Sequence, residues 1–158
     1  MTPLELQDEL MVEMDRILDG YTYKTPEGER IPINVFAQNI PMNETDAEDA
    51  EDDPVPYIIV RLNSGEDDGS RDSFNTVSVV IIIGIWDDAL DSQGHRDVMN
   101  IIQKVYQRFH ENPDLNRKAV YAGAFKWAIQ DDAYYPYKFG ACHMKFHIAA
   151  VRREDCFV

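Results

Sequence analysis

The spacing of apolar side chains predicts two amphipathic helices, one near the N-terminus and one in the second half of the chain. Thr2, Pro3 and Glu5 supply a threonine cap, a first-turn proline and a capping-box glutamate for the first helix, which we expect over about 3–18. Gly20 is a residue at which the first helix can end. The apolar residues at helical spacing are Leu6, Leu10, Met14, Ile17 and Leu18 in the first helix, and Val98, Ile101, Ile102, Val105, Tyr106 and Phe109 in the second.

Five further segments have the β-branched and aromatic composition of strands. The segment 74–86 is apolar at nearly every position after Ser78, so we expect it at the centre of a sheet with both of its faces covered. Gly84 within it indicates a bulge or the close approach of another backbone segment. The predicted strands are 33–38, 57–62, 74–86, 120–130 and 141–151.

The order of these elements, αβββαββ, predicts an α+β fold with a mixed, mainly antiparallel sheet of about five strands packed with two main helices. In the fourth strand, one face carries the large apolar residues, which are Tyr121, Phe125, Trp127 and Ile129. A chain of 158 residues fits one domain, so we assign residues 1–158 to a single unit.

The chain is strongly acidic, with a formal net charge of -14. The acids concentrate in residues 44–53, seven in ten positions, and in a second segment, 63–73. Such segments repel themselves and bury little apolar area, so we expect two mobile loops. This charge argues against a protein that grips phosphate backbones. The apolar run 79–86 is much shorter than the ~20 residues of a membrane helix, so we expect no membrane contact. We expect the protein to be made in the cytoplasm.

One stretch, GIWDDALDSQGHRDVMN at 84–100, resembles an active site. Its acids do not match the alternating spacing of a calcium loop, and turn and cap positions explain them, with Ser92 as the cap of the following helix. His143 and His147 lie about 13 Å apart on a strand, too far to share one ion. We therefore interpret the stretch as a strand-to-helix junction and expect no catalytic residue, metal or cofactor. The potential ligands are Asp87, Asp88, Asp91 and His95.

The stretch QDDAYYPYKFG, at 130–140, places three tyrosines around Pro136 between two predicted strands. Exposed aromatic side chains anchor protein interfaces because they bury a large area at a small cost in entropy. The alternative is that these tyrosines pack on the edge of the domain's own core with only their hydroxyls in water. Both interpretations remain open from the sequence.

Several motifs in a fixed order resemble the tail terminator, or tail completion, proteins of long-tailed bacteriophages and prophages. They are PYIIVRLNSG, the GHRDVMNII helix, the NPDL stop, the FKWAIQ strand, the DDAYYPYKFG loop and the closing RRED. The similarity covers about residues 54–155, and the acidic segment 44–53 is not part of it.

This resemblance implies a structural virion protein at the junction of phage tail and neck. Its subunits would form a ring, expected to be a homo-hexamer, on the last ring of the tail tube protein, where they stop tube polymerisation and present a surface to the head-tail connector protein. DNA would pass through without specific binding. Function would then reside in contacts, with no catalysis.

The resemblance also gives roles to particular residues. A tyrosine loop would contact a neighbouring subunit or the tube, arginines would pair with acids across subunits, and an acidic loop facing the channel or a partner would repel passing DNA. The interface candidates are Tyr134, Tyr135, Pro136, Tyr137, Asp131, Asp132, Arg61, Arg152 and Arg153. The acidic loop candidates are Glu48, Asp49, Glu51, Asp52, Asp53, Glu66, Asp67 and Asp68.

Three alternatives remain. One is another structural protein of the phage neck or tail. The net charge also suits an acidic inhibitor that imitates DNA and occupies a nucleic-acid-binding protein, although a mimic needs its acids on rigid structure. The third is a metal-dependent hydrolase that uses Asp87, Asp88, Asp91 and His95.

Overall fold

The computed structural model describes residues 1–40, 55–70, 74–90, 93–130 and 135–151. Within them lie two helices and a mixed sheet, which confirms the predicted α+β class. The helices are α1 (Pro3–Ile17) and α2 (His95–Glu111). The strands are β1 (Tyr23–Lys24), β2 (Arg30–Ile31), β3 (Asn34–Ala37), β4 (Tyr57–Glu66), β5 (Asn75–Trp86), β6 (Asp114–Leu115), β7 (Ala119–Tyr121), β8 (Lys126–Ile129) and β9 (Tyr137–Ile148).

Local sequence signals set the helix ends. The Thr2 hydroxyl accepts a hydrogen bond from the Glu5 backbone N–H, and the Glu5 carboxylate accepts one from Thr2, which completes the predicted capping box. The second helix has Gly94 at its N-cap and no side-chain cap, while the predicted cap, Ser92, lies outside the described residues. No helix in the described part of the chain is both long and apolar enough to span a membrane.

The main sheet has seven strands among the described residues, two more than predicted, in the order β3-β4-β5-β9-β7-β6 with β8 also paired to β9. The pairing of β3 with β4 is parallel and the other pairings are antiparallel. Every residue of β5, from Asn75 to Trp86, has a partner in β9. The predicted central strand therefore lies between the two longest neighbours in the sheet.

Both helices pack on the same face of this sheet. The side chains of β5 that point to them are buried and form one core with apolar residues of α1 and α2. The expectation that both faces of 74–86 are covered is wrong for the described residues: on the other face Val80, Ile82 and Trp86 are only half-buried. The buried β5 residues are Val77, Val79, Ile81, Ile83 and Ile85.

The predicted strand 120–130 is interrupted. It forms two short strands, β7 and β8, that lie one after the other along the same edge of β9. Between them, Gly123 and Ala124 have φ angles of 78° and 59°, in the left-handed region, which breaks the extended backbone. Trp127 pairs with Cys142 on the helix side but stays 55% exposed, because it lies at the sheet edge.

The second acidic segment begins later than predicted. Its first four residues, 63–66, continue β4 and pair with β5, with a register shift between Leu62 and Ser64. The shift absorbs one residue and keeps the strand in the ladder, so the loop starts only after Glu66.

A buried carboxylate joins the two helices. Glu13 of α1 accepts hydrogen bonds from Arg16 and from Arg108 of α2. Arg108 Nη2 also donates to the carbonyl oxygen of Asp114 in β6, at 3.0 Å. The hydrogen bond from Arg16 lowers the pKa of Glu13 most; burial opposes this shift and Arg108 adds to it.

We predict that replacing Gly84 with alanine destabilises the fold. The ring of Tyr57 lies over Gly84, and a Cβ atom there would stand 2.8 Å from the tyrosine hydroxyl oxygen and closer to the ring carbons. Gly84→Ala must displace the ring, at an expected cost of about 1–3 kcal/mol in unfolding free energy, measured by urea denaturation. Gly65→Ala is the matched control, because the nearest atoms to its Cβ would be 3.7 Å away. Equal stability of both variants would contradict this packing.

We predict that Glu13→Gln lowers the unfolding free energy by about 2 kcal/mol at neutral pH, since it weakens three charge-assisted hydrogen bonds, two from Arg16 and one from Arg108. A carboxyl whose folded pKa is depressed stabilises the protein above its unfolded pKa, and this contribution is lost as pH falls through the folded pKa. The difference between the variant and the wild type should therefore shrink in acid. Glu9→Gln, which weakens an exposed pair with Lys118 at 3.4 Å, should cost less than about 0.5 kcal/mol and is the control.

Candidate interaction surfaces

The acidic stretch after β5 and the tyrosine loop before β9 meet at one end of the sheet. Trp86, the last residue of β5, pairs with Tyr137, the first residue of β9. Just beyond them, the Asp87 N–H donates to the Pro136 carbonyl oxygen at 2.9 Å, and the Tyr135 hydroxyl donates to the Asp88 carbonyl oxygen at 2.5 Å. The tyrosine loop and the acidic turn therefore form one surface, which we call the loop corner (residues 86–88 and 135–137).

The acids at the loop corner have local structural roles. Asp87 accepts a hydrogen bond from the Ala89 N–H at 2.9 Å, as turn aspartates do. Asp88 forms an ion pair with Lys24 at 2.8 Å, and this hydrogen bond lowers the pKa of Asp88. No three potential metal ligands come together within the described residues, and Asp91 lies outside them. The described acids fit the predicted strand-to-helix junction, with His95 as the first residue of α2.

The two tyrosines of the loop that the structure describes, Tyr135 and Tyr137, differ in exposure, and the interface interpretation stays a prediction. Tyr137 is half-buried, and its ring is stacked on Phe139 at an interplanar angle of 13°. Tyr135 is 51% exposed although its hydroxyl is bonded to the chain's own backbone. Its ring is thus held in place and remains accessible to a partner. Tyr134, Asp131 and Asp132 lie outside the described residues.

The sheet face opposite the helices, called the open sheet face below, carries a second apolar cluster. Its centre is buried and its surroundings are half-buried; in the described residues no helix covers it. The loop corner lies at its margin, because Trp86 and Tyr137 belong to both. The buried members are Val55, Tyr57 and Ile59, and the half-buried ones are Phe36, Ile40, Ile82, Trp86, Tyr137 and Phe139.

Basic side chains lie on the same sheet face, next to this apolar cluster. The register places Arg61, Val80, His143 and Lys126 in one row across β4, β5, β9 and β8. Lys145, two residues after His143 in β9, points to the same face because side chains alternate along a strand. Lys126 and Lys145 are exposed and form no ion pair with any described residue.

The histidines of this face have hydroxyl partners. His143 is hydrogen-bonded to Ser78, and the Nδ1 atom of His147 lies 3.0 Å from the Thr76 hydroxyl oxygen. Both histidine side chains are half-buried, which supports a structural role within the sheet.

Of the three arginines predicted at an interface, only Arg61 lies within the described residues. The Arg61 guanidinium donates to the Gln38 carbonyl oxygen at 3.0 Å and to the Asn39 side chain at 3.2 Å, so this arginine fastens the end of β3 to β4 within the chain. Its predicted pairing across subunits stays a prediction. Arg152 and Arg153 lie outside the described residues.

Only three of the acidic loop candidates lie within the described residues. Glu66 ends β4, and the carboxylates of Asp67 and Asp68 accept hydrogen bonds from the backbone of Gly69 and Ser70. The remaining candidates, Glu48, Asp49, Glu51, Asp52 and Asp53, lie outside the described residues.

Comparison with known proteins gives no assignment, because no protein-family model matches the chain and no curated protein matches its sequence.

We predict that Tyr135→Phe lowers the unfolding free energy by about 0.5–1 kcal/mol, because it removes the hydrogen bond to Asp88 while leaving the ring in place. Tyr106→Phe is the matched control: this tyrosine is 38% exposed, and its hydroxyl has no hydrogen bond within the described residues. Urea denaturation of the two variants measures the difference. If they are equally stable, the hydroxyl does not hold the loop corner.

Proposed function

We propose that this protein is a tail terminator of a long-tailed phage or prophage: a structural protein whose subunits form a ring, expected to be hexameric, on the end of the tail tube. The ring stops tube polymerisation and offers the surface that joins the head. The proposal rests on the ordered motifs within residues 54–155. In this proposal the chain acts through contacts with other copies of itself, with the tube protein and with the connector, and no reaction is involved.

The open sheet face is the structural observation that carries this proposal. A soluble chain normally leaves its apolar side chains scattered, whereas here aromatic and branched side chains lie together on a face that no described element covers. The Tyr135 ring continues this surface at the loop corner, 51% exposed. Aromatic residues on a preformed sheet offer contact area without requiring the chain to reorganise.

The charge of the chain suits a channel through which DNA passes. A net charge of -14 repels phosphate, so DNA would not adhere to a ring whose lumen carries the acidic segments. The cations of the open sheet face would then be directed to protein partners and away from the lumen.

We predict that deletion of the gene from the phage or prophage that carries it yields overlong tubes without heads, and that supplying the protein restores tails of uniform length. Negative-stain electron microscopy measures the length distribution. Normal tails joined to heads in the deletion strain would rule out termination.

Two variants supplied in the same strain test the open sheet face. Ile82→Glu introduces a charge at a half-buried position of that face and should fail to restore tail length. Leu90→Glu, at a side chain that is 91% exposed, should restore it. Circular dichroism and urea denaturation of the purified variants ensure that a failure reflects lost contacts and not lost folding.

A further inference from the structure

The outer face of α1 exposes apolar and acidic side chains together. Leu4 and Val12 are 66% and 67% exposed, and Asp8 and Asp15 are exposed between and beyond them. At 3.6 residues per turn these four positions fall within about 80° of the helix circumference, so they form one stripe. We call it the α1 stripe.

The aspartates of this stripe form no ion pair within the described part of the chain. The other acids of α1 have partners: Glu13 bonds to Arg16 and Arg108, and Glu9 pairs with Lys118. Asp8 and Asp15 form no ion pair with any described residue. Two anions without an ion-pair partner among the described residues therefore flank the exposed side chain of Val12 on the helix.

The open sheet face has the complementary character. Lys126 lies in the row of side chains next to that of Ile82, a member of the apolar cluster of this face, and Lys145 lies one row further along the sheet. Both lysines are exposed and form no ion pair with any described residue. Lys126 is opposite His143 and Lys145 is the next residue on the same face of β9, so their Cα atoms are diagonal neighbours at about 7–8 Å. In a chain of net charge -14, this is a local concentration of positive charge beside exposed apolar groups.

The two surfaces lie on opposite sides of the molecule. The inner face of α1 packs through Leu6, Leu10 and Met14 onto the covered side of the sheet, and the stripe points away from it. A chain cannot bring its own stripe to its own open face. Two chains can do so, and the contact is then head-to-tail, which leaves one free surface of each kind and continues to a closed ring or a filament.

We infer that the α1 stripe of one subunit docks on the open sheet face of the next, with Asp8 and Asp15 facing Lys126 and Lys145 and with Leu4 and Val12 on the apolar cluster. This inference rests on the proposed ring and identifies the surfaces that join its subunits. A second copy is favoured as the occupant because the chain itself carries the matching surface, with opposite charge and exposed apolar groups. The contact weakens as salt screens the charges.

Charge reversal tests the contact in solution. Asp8→Lys with Asp15→Lys gives a stripe variant, and Lys126→Glu with Lys145→Glu gives a sheet variant. Each should weaken self-association at least about 100-fold, because like charges then oppose each other, as measured by sedimentation equilibrium or native mass spectrometry. A chain that carries all four substitutions restores opposite charges and should assemble again.

Matched controls separate this contact from a change in net charge. Glu27→Lys with Glu29→Lys alters the charge as much as the stripe variant does, at exposed positions of the β1–β2 turn region. Arg96→Glu with Arg117→Glu does the same for the sheet variant. Both controls should self-associate like the wild type.

The outcomes distinguish the two proposals. Wild-type self-association that neither reversal weakens, or a four-substitution chain that stays dissociated, overturns the docking contact and leaves the terminator proposal to its own test. A wild-type chain that stays monomeric up to about 1 mM also overturns the contact, since even a weak interface associates there. Normal tails after gene deletion overturn the terminator proposal and leave the measured self-contact in place.

Discussion

The ladder between β5 and β9 is the interaction on which the rest of the structure depends. It pairs all residues from Asn75 to Trp86, and through it the N-terminal half of the sheet is joined to the C-terminal half. At one end the ladder brings the acidic turn at Asp87 against the tyrosine loop. Along its length it fixes which side chains point to the helices and which form the open face, because a shift of one residue would exchange the two sets.

Because both helices cover the same face, the molecule has two unlike sides. On the covered side, Arg108 of α2 donates hydrogen bonds to Glu13 of α1 and to the Asp114 carbonyl oxygen, which ties both helices to the sheet. The other side keeps Tyr57 and Ile59 buried only by neighbouring side chains of the sheet itself. A third layer is missing from the described residues, and the apolar area that such a layer would cover is the surface that we propose as a docking face.

The sequence predicts what is locally encoded. The α1 capping box and the helical spacing of α2 depend on neighbours a few residues apart, and the structure reproduces both. The open face was missed because Val80 and Ile82 resemble core residues in a pattern, and only the positions of both helices show that they are not covered. The break between β7 and β8 was also missed, since one glycine in a strand pattern does not specify the left-handed conformation of Ala124 after it.

The candidate surfaces were predictable to a similar extent. The tyrosine loop is visible in sequence, but the division between a packed Tyr137 and an accessible Tyr135 depends on the ladder beneath it. The sequence does not show that the basic side chains lie together, because only the strand register places Arg61, His143 and Lys126 in one row. Two copies of a chain that carries -14 repel one another at long range, so the contact that we infer requires a local match of charge and apolar area. The head-to-tail contact that we infer is the orientation that brings this locally basic sheet face, which no described helix covers, to the acidic helix stripe of the next copy.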